Sequence, residues 1–193
     1  MTNFTLTTMK KLLTILLLIT ASFTSFAQSG AVSITAIPSS PQIFWDSLPA
    51  PVGYTNDMEG LFTDAQIAHL DSIISLFEQR TSAEIAIVTL DTTHTSEAKF
   101  DELAEHIFNS WGIGKKDKDN GILISISRMH GRIRITNGIG IGKMLSDAET
   151  EAIIDDYFIP AFKDGDYYGG TEKGLVRLIG IIEQRNDTQE LKK

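Results

Sequence analysis

The chain has 193 residues, no cysteine, and 25 acidic against 17 basic side chains, for a formal net charge of -8. Without Cys, thiolate catalysis, disulfide exchange and cysteine-based zinc sites are closed. The acidic balance argues against nucleic acid or an anionic membrane surface as partner and suits cations.

Lys10 and Lys11 precede an uncharged apolar run from Leu12 to Phe23, shorter than the roughly 20 residues a bilayer-spanning helix needs. Ser25 and Ala27 then supply the small residues of a cleavage site before Gln28. Residues 1–27 are therefore predicted to be a signal peptide, and the mature protein to be exported, periplasmic or extracellular, and soluble after cleavage. That leader removes two Lys and no acid, which takes the remaining chain from -8 to -10. Residues 28–51 hold four of the five prolines and predict an extended lead-in segment, with Ile43, Phe44, Trp45 and Leu48 available to pack on the domain.

The main domain is predicted over residues 52–185. Thr63 and Gln66 form a capping box, and Ile67, Leu70, Ile74 and Phe77 recur at helical spacing to about Arg80. Ile85 to Leu90 is a short β-branched apolar run, the pattern of a strand covered on both faces. A second helix follows on Phe100, Leu103, Ala104, Ile107, Phe108 and Trp111, with Gly112 placed to end it. Gly121 to Ser127 predicts a second strand. Gly131 turns the chain into Arg132 to Asn137, whose strict alternation predicts an antiparallel strand with one wet face. Ser146 and Glu149 form another capping box, opening a helix that Pro160 is expected to stop. A last helix begins at Asp166 or Thr171, with Leu175, Val176, Leu178, Ile179 and Ile182 as core candidates, and a polar tail occupies 186–193. Strand, crossover helix and parallel strand make a right-handed βαβ unit that the antiparallel strand extends. The predicted fold is α/β, a three-layer α/β/α sandwich with a small mixed sheet and helices on both faces.

Several stretches, taken together and in order, resemble the TPM domain family. They are Asn56-Asp57-Met58-Glu59-Gly60-Leu61-Phe62, Thr81-Ser82-Ala83-Glu84-Ile85, Trp111-Gly112-Ile113-Gly114-Lys115, Lys118-Asp119-Asn120-Gly121 and Pro160-Ala161-Phe162-Lys163-Asp164-Gly165. The resemblance implies a fold more than one activity. Members include a thylakoid-lumen protein with acid phosphatase activity, bacterial envelope proteins and an accessory subunit of a ligand-gated channel, and calcium is associated with some. One departure matters: the family often carries an aromatic and an acid in the glycine loop after the antiparallel strand. Here that loop is Gly138-Ile139-Gly140-Ile141-Gly142-Lys143, without an acid.

The loop before Gly121 and the loop after Asn137 must lie at one edge of the sheet, because the strands they flank run in opposite directions. This brings Asp117, Asp119 and Asn120 toward Asn137, Gly140, Gly142 and Asp147, a set of oxygens suited to calcium or magnesium. An EF-hand is excluded, since the glycine falls at the wrong offset and Arg128 stands where the last Glu belongs. The alternative is that these acids are solvated turn residues, with Asp147 favouring the helix dipole. Asp57, at the opposite edge near Asp91, is a further metal candidate or a cap. Gly-Ile-Gly-Lys occurs at 112–115 and again at 140–143, as an anion cradle or as tight turns. His69, His94, His106 and His130 have no ligand spacing, and no nucleophile elbow occurs. Two classes of function stay open, beside that of a purely structural domain. One is a divalent-cation-binding exported domain, to which the family resemblance would add metal-dependent phosphomonoesterase activity on a phosphorylated substrate. The other is a non-enzymatic or chaperone-like module that assists envelope membrane proteins.

Overall fold

The computed structural model describes residues 39–190, with side chains described to residue 187. The predicted signal peptide, and residues 28–38 of the lead-in, lie outside these. In chain order the elements are α1 (Ser40–Asp46), β1 (Thr55–Asp57), α2 (Asp64–Thr81), β2 (Glu84–Thr89) and a 3-10 turn (Glu97–Lys99) leading into α3 (Phe100–Trp111). Next come β3 (Gly121–Ser127), β4 (Arg132–Asn137), α4 (Ile139–Gly142), α5 (Asp147–Ile153), a π-helical turn (Ile154–Phe158), α6 (Ile159–Lys163) and α7 (Tyr167–Glu190). The sheet order is β1-β2-β3-β4, with the first three strands parallel and β4 antiparallel to β3.

The α/β sandwich read from the sequence is present. In β2, Ile85 and Ile87 join Leu70, Ile74 and Phe77 of α2, Phe158, and Leu175, Leu178 and Ile182 of α7 in one core. Ala86 and Val88 join Phe100, Leu103 and Ile107 of α3 in the other. Helices on both faces leave β2 no wet side, which is why it reads as a continuous apolar run. The β1-α2-β2 and β2-α3-β3 crossovers step the same way across the sheet, yet α2 and α3 lie on opposite faces. The two connections therefore have opposite hand, and one departs from the usual right-handed rule. Both capping boxes are formed, at Thr63 with Gln66 and at Ser146 with Glu149. Gly112 ends α3 at φ +63° and Gly131 turns the β3–β4 hairpin at φ +61°. Among the described residues, no helix is long and apolar enough to cross a membrane.

Several expectations need correction. Strand β1 was not expected: its three residues, Thr-Asn-Asp, carry no apolar alternation, and pairing with β2 rather than sequence pattern makes it a strand. The lead-in is not extended throughout, because α1 forms within it, with Pro41 in the first turn where its missing N–H has no helical partner to lose. Phe44, Trp45 and Leu48 pack on the α3 face as anticipated, whereas Ile43 stays 54% exposed. Pro160 does not stop the helical path. The preceding turn widens, with the Ile159 N–H donating to the Ile154 carbonyl, and Pro160 enters the first turn of α6. Val176 is 52% exposed and is not core, and α7 continues through the polar residues to Glu190.

Candidate functional site

Glycine makes the edge before β3 possible. The Gly138 N–H donates to the Gly121 carbonyl (2.8 Å) and the Gly140 N–H to the Asp119 carbonyl (2.9 Å). A Cβ on Gly138 would lie 2.2 Å from the Asp119 oxygen, and one on Gly140 would lie 2.0 Å from the Lys118 oxygen. The 112–120 loop and the segment after β4 thus touch backbone to backbone, at the single edge the strand directions require.

The predicted ligands are placed unequally along it. Asn120 is buried and fully used: its Oδ1 accepts from the Lys115 N–H (2.8 Å) and its Nδ2 donates to the Ser82 carbonyl (2.9 Å). It closes the loop, and its oxygen is not free for a cation. Asp117, Asp119 and Asp147 are exposed, and none of their carboxylates has a partner among the described residues. Asp119 adopts φ +47°, a left-handed conformation that Asp and Asn tolerate best after glycine. It lines a cleft of about 720 Å³ with Asn137 and the C-terminal end of α3. Asp147 lines a neighbouring cleft of about 690 Å³, also with Asn137. Asp117 lines neither.

Asn137 is the residue that sequence reasoning located without recognising. It ends β4, its Nδ2 donates to Thr150 Oγ1 (2.9 Å), and Thr150 Oγ1 donates to the Ser146 carbonyl (3.1 Å). Because that hydroxyl proton is committed, the amide must present nitrogen to Thr150, which fixes its orientation. Its Oδ1 is then buried with no partner, a situation that costs about 1–3 kcal/mol. No sequence signal marks such an atom, since it depends on the α5 contact. Among the described residues no three carboxylates or imidazoles converge on one point. A cation here would be held by Asp119, with Asp147 as a second carboxylate, the Asn137 oxygen and water, a set suited to magnesium or a weak calcium site.

Asp57 lies at the other end of the sheet. Its Oδ1 accepts from the Leu61 N–H (2.9 Å) and Thr89 Oγ1 (2.6 Å), and its Oδ2 from the Phe62 N–H (2.7 Å). With both oxygens occupied, the contacts support the capping reading. Glu59 caps the hairpin between β3 and β4 in the same way, accepting from the Arg128 and Met129 amides at 2.8 and 2.9 Å. Burial pushes the Asp91 carboxyl up, but hydrogen bonds from Thr93 and the charge of the His94 ring leave it below its usual range.

The Gly-Ile-Gly-Lys repeats behave as turns. The Gly114 N–H donates to Glu84 Oε2 (2.7 Å), the Gly112 N–H to the end of α3, and the Gly142 N–H to the Gly138 carbonyl (3.0 Å). With Gly140 bonded to Asp119, these amides are all spent within the chain. Lys115 is engaged by Glu78 and Glu84, and Tyr54 Oη donates to Glu78 Oε2 (2.7 Å). The Tyr54 hydrogen bond, with help from Lys115, holds the Glu78 carboxyl below its usual range, and the same bond pushes the Tyr54 hydroxyl up. Glu84, a charge opening an otherwise apolar strand, was the visible sign of this clamp. All four histidines have structural contacts: His69 with Glu172, His94 with Asp91, His106 stacked on Trp45 at 4.1 Å, and His130 with the Thr95 carbonyl.

A family model for the TPM domain matches residues 55–181. The N-terminal domain of a P. gingivalis protein is similar at 25% identity, over 69% of this chain and 84% of that one, with TM-score 0.62. The BA42 protein of the psychrophilic bacterium Bizionia argentinensis is 22% identical over 66% of this chain and 85% of its own, with TM-score 0.57. The N-terminal domain of cg2496 from Corynebacterium glutamicum is 15% identical over 73% and 84%, with TM-score 0.50. The last two likenesses bear on the fold alone. No curated protein matches the chain.

Proposed function

The chain belongs to the TPM domain family, and from that premise we propose that it is an exported domain that binds a divalent cation, calcium or magnesium, where the loop before β3 meets the loop after β4. Export is supported by Lys10, Lys11, the apolar run and Ala27. The observation that carries the cation reading is the buried, unpartnered Asn137 Oδ1, in a position that lines the clefts of both Asp119 and Asp147. A hard cation or its water would satisfy that oxygen and the exposed carboxylates together.

Two uses of the cation follow. A phosphomonoesterase would have it polarise a phosphoryl oxygen and orient a water. A binding module that assists envelope membrane complexes would use it only to order the two loops. The second use is favoured by the amides of Gly112, Gly114, Gly140 and Gly142, which donate within the chain and so are not offered to a phosphoryl group.

The test is thermal unfolding with and without calcium or magnesium, on the protein and on Asp119→Asn, a change that keeps the left-handed backbone and removes the charge. Cation at about 100 times its Kd adds about 2.7 kcal/mol, which the variant should largely lose. Equal stabilisation of both proteins would sink the assignment. Hydrolysis of a phosphomonoester that falls in Asp119→Asn would favour the enzyme, and equal rates would reject it.

A further inference from the structure

Strand β4 closes one side of the four-stranded sheet, and the phase of its hydrogen bonds follows from two contacts. The Gly138 N–H bonds the Gly121 carbonyl, and the Leu90 N–H reaches the Ile126 carbonyl from the β2 side. By antiparallel alternation, Arg132, Arg134 and Thr136 turn their amides and carbonyls toward β3, while Ile133 and Ile135 turn theirs away from the sheet. No strand lies beyond them among the described residues. The neighbouring groove of about 690 Å³ is lined by every residue from 131 to 137, so it runs the full length of this edge. Its walls carry Asp101 and Glu105 from α3 and Asp147 and Glu151 from α5. Asp101 engages both Arg132 and Arg134, the carboxylates of Glu105, Asp147 and Glu151 have no partner among the described residues, and four acids against two arginines leave the groove acidic.

We propose that this edge receives an extended, Lys- or Arg-bearing peptide segment as a fifth strand. The outward amides and carbonyls of Ile133 and Ile135 supply main-chain pairing. Alternate side chains of the incoming strand point toward the α3 and α5 walls, where the unpaired acids select cationic residues. An uncovered strand of six residues without proline is the kind of edge that otherwise invites unwanted pairing. Acidic walls restrict what it accepts. The proposal does not rest on the cation reading, although Asn137 and Asp147 belong to both.

The experiment uses a short capped peptide alternating Lys and Val, beside a counterpart alternating Glu and Val, with binding followed by fluorescence anisotropy and site by amide hydrogen exchange. The Lys peptide binds at least about tenfold more tightly than the Glu peptide and slows exchange at Ile133 and Ile135. Glu105→Lys with Glu151→Lys removes or reverses that preference without touching the backbone. Ile133→Pro deletes an outward N–H and no bond to β3, and it abolishes binding; should that variant unfold, the charge-reversed pair still decides. Equal binding of the two peptides, or protection elsewhere than β4, overturns the proposal. So does self-association of the protein that protects Ile133 and Ile135 without peptide, which would assign the edge to a second copy.

Discussion

Replacing Gly140 by Ala tests whether the loop edge is held by backbone contact. The added Cβ would sit 2.0 Å from the Lys118 oxygen and 3.0 Å from the Asp119 oxygen, against roughly 3.3–3.6 Å for an ordinary carbon–oxygen contact. One loop must retreat by more than about 1 Å, which is overpacking worth about 1–3 kcal/mol. The retreat also weakens the Gly140 N–H to Asp119 carbonyl bond, worth about 1 kcal/mol. The gain from Ala over Gly in a helix returns about 0.5–1 kcal/mol, leaving a net loss of about 1–3.5 kcal/mol. For a domain of this size that lowers Tm by roughly 2–14 °C. Gly142 is the control: it lies in the same tetrapeptide and the same short helix, with nothing within 4 Å of its Cβ position and no positive φ. Gly142→Ala should be neutral or raise Tm. Both are read by thermal unfolding followed by circular dichroism. A Gly140→Ala protein that melts with the parent, or a Gly142→Ala protein that falls as far, would refute the packing argument.

Two further perturbations bear on the frame around the site. Glu149 is held at about 2 from 4.5, chiefly by its hydrogen bonds with Arg185 and then with Ser146. Its folded-state pKa is depressed, so its contribution is present above pH 4.5 and is lost as pH falls from there toward 2; Glu149→Gln should flatten urea-unfolding stability across that window, and an unchanged slope would remove Glu149 from the account. Ser82 caps α2 at φ +61°, a conformation that costs an L residue about 1–2 kcal/mol. Ser82→Gly should therefore raise the urea midpoint, less whatever the Lys118 hydrogen bond to Ser82 Oγ contributes.

Regular periodicity made the helices and the central strands legible. Ile67 to Phe77, Phe100 to Trp111 and the alternating Arg132 to Asn137 each carry one period long enough to read, and the capping boxes set two starts. What escaped depends on partners distant in sequence. Thr55–Asp57 becomes a strand because β2 lies beside it, and α1 gains its apolar support from the α3 face. Val176 is apolar but lies one residue off the stripe of Leu175, Leu178, Ile179 and Ile182, and so falls on the exposed side of α7. At the site, opposed strand directions were enough to bring Asp119, Asn137 and Asp147 to one edge. They could not tell that Asn120 and Asp57 would spend their oxygens on backbone amides, or that Thr150 would leave the Asn137 oxygen unpartnered.

The central claim is that a divalent cation binds where the loops before β3 and after β4 meet. The most direct measurement is a titration of the ¹⁵N-labelled protein with calcium and with magnesium, following amide shifts and the Asn137 side-chain amide, repeated on Asp119→Asn. The account predicts saturable shifts confined to residues 112–120 and 137–147, with the Asn137 side chain among them, and their loss or marked weakening in the variant. Shifts that avoid both loops, or that persist unchanged in Asp119→Asn, would contradict it.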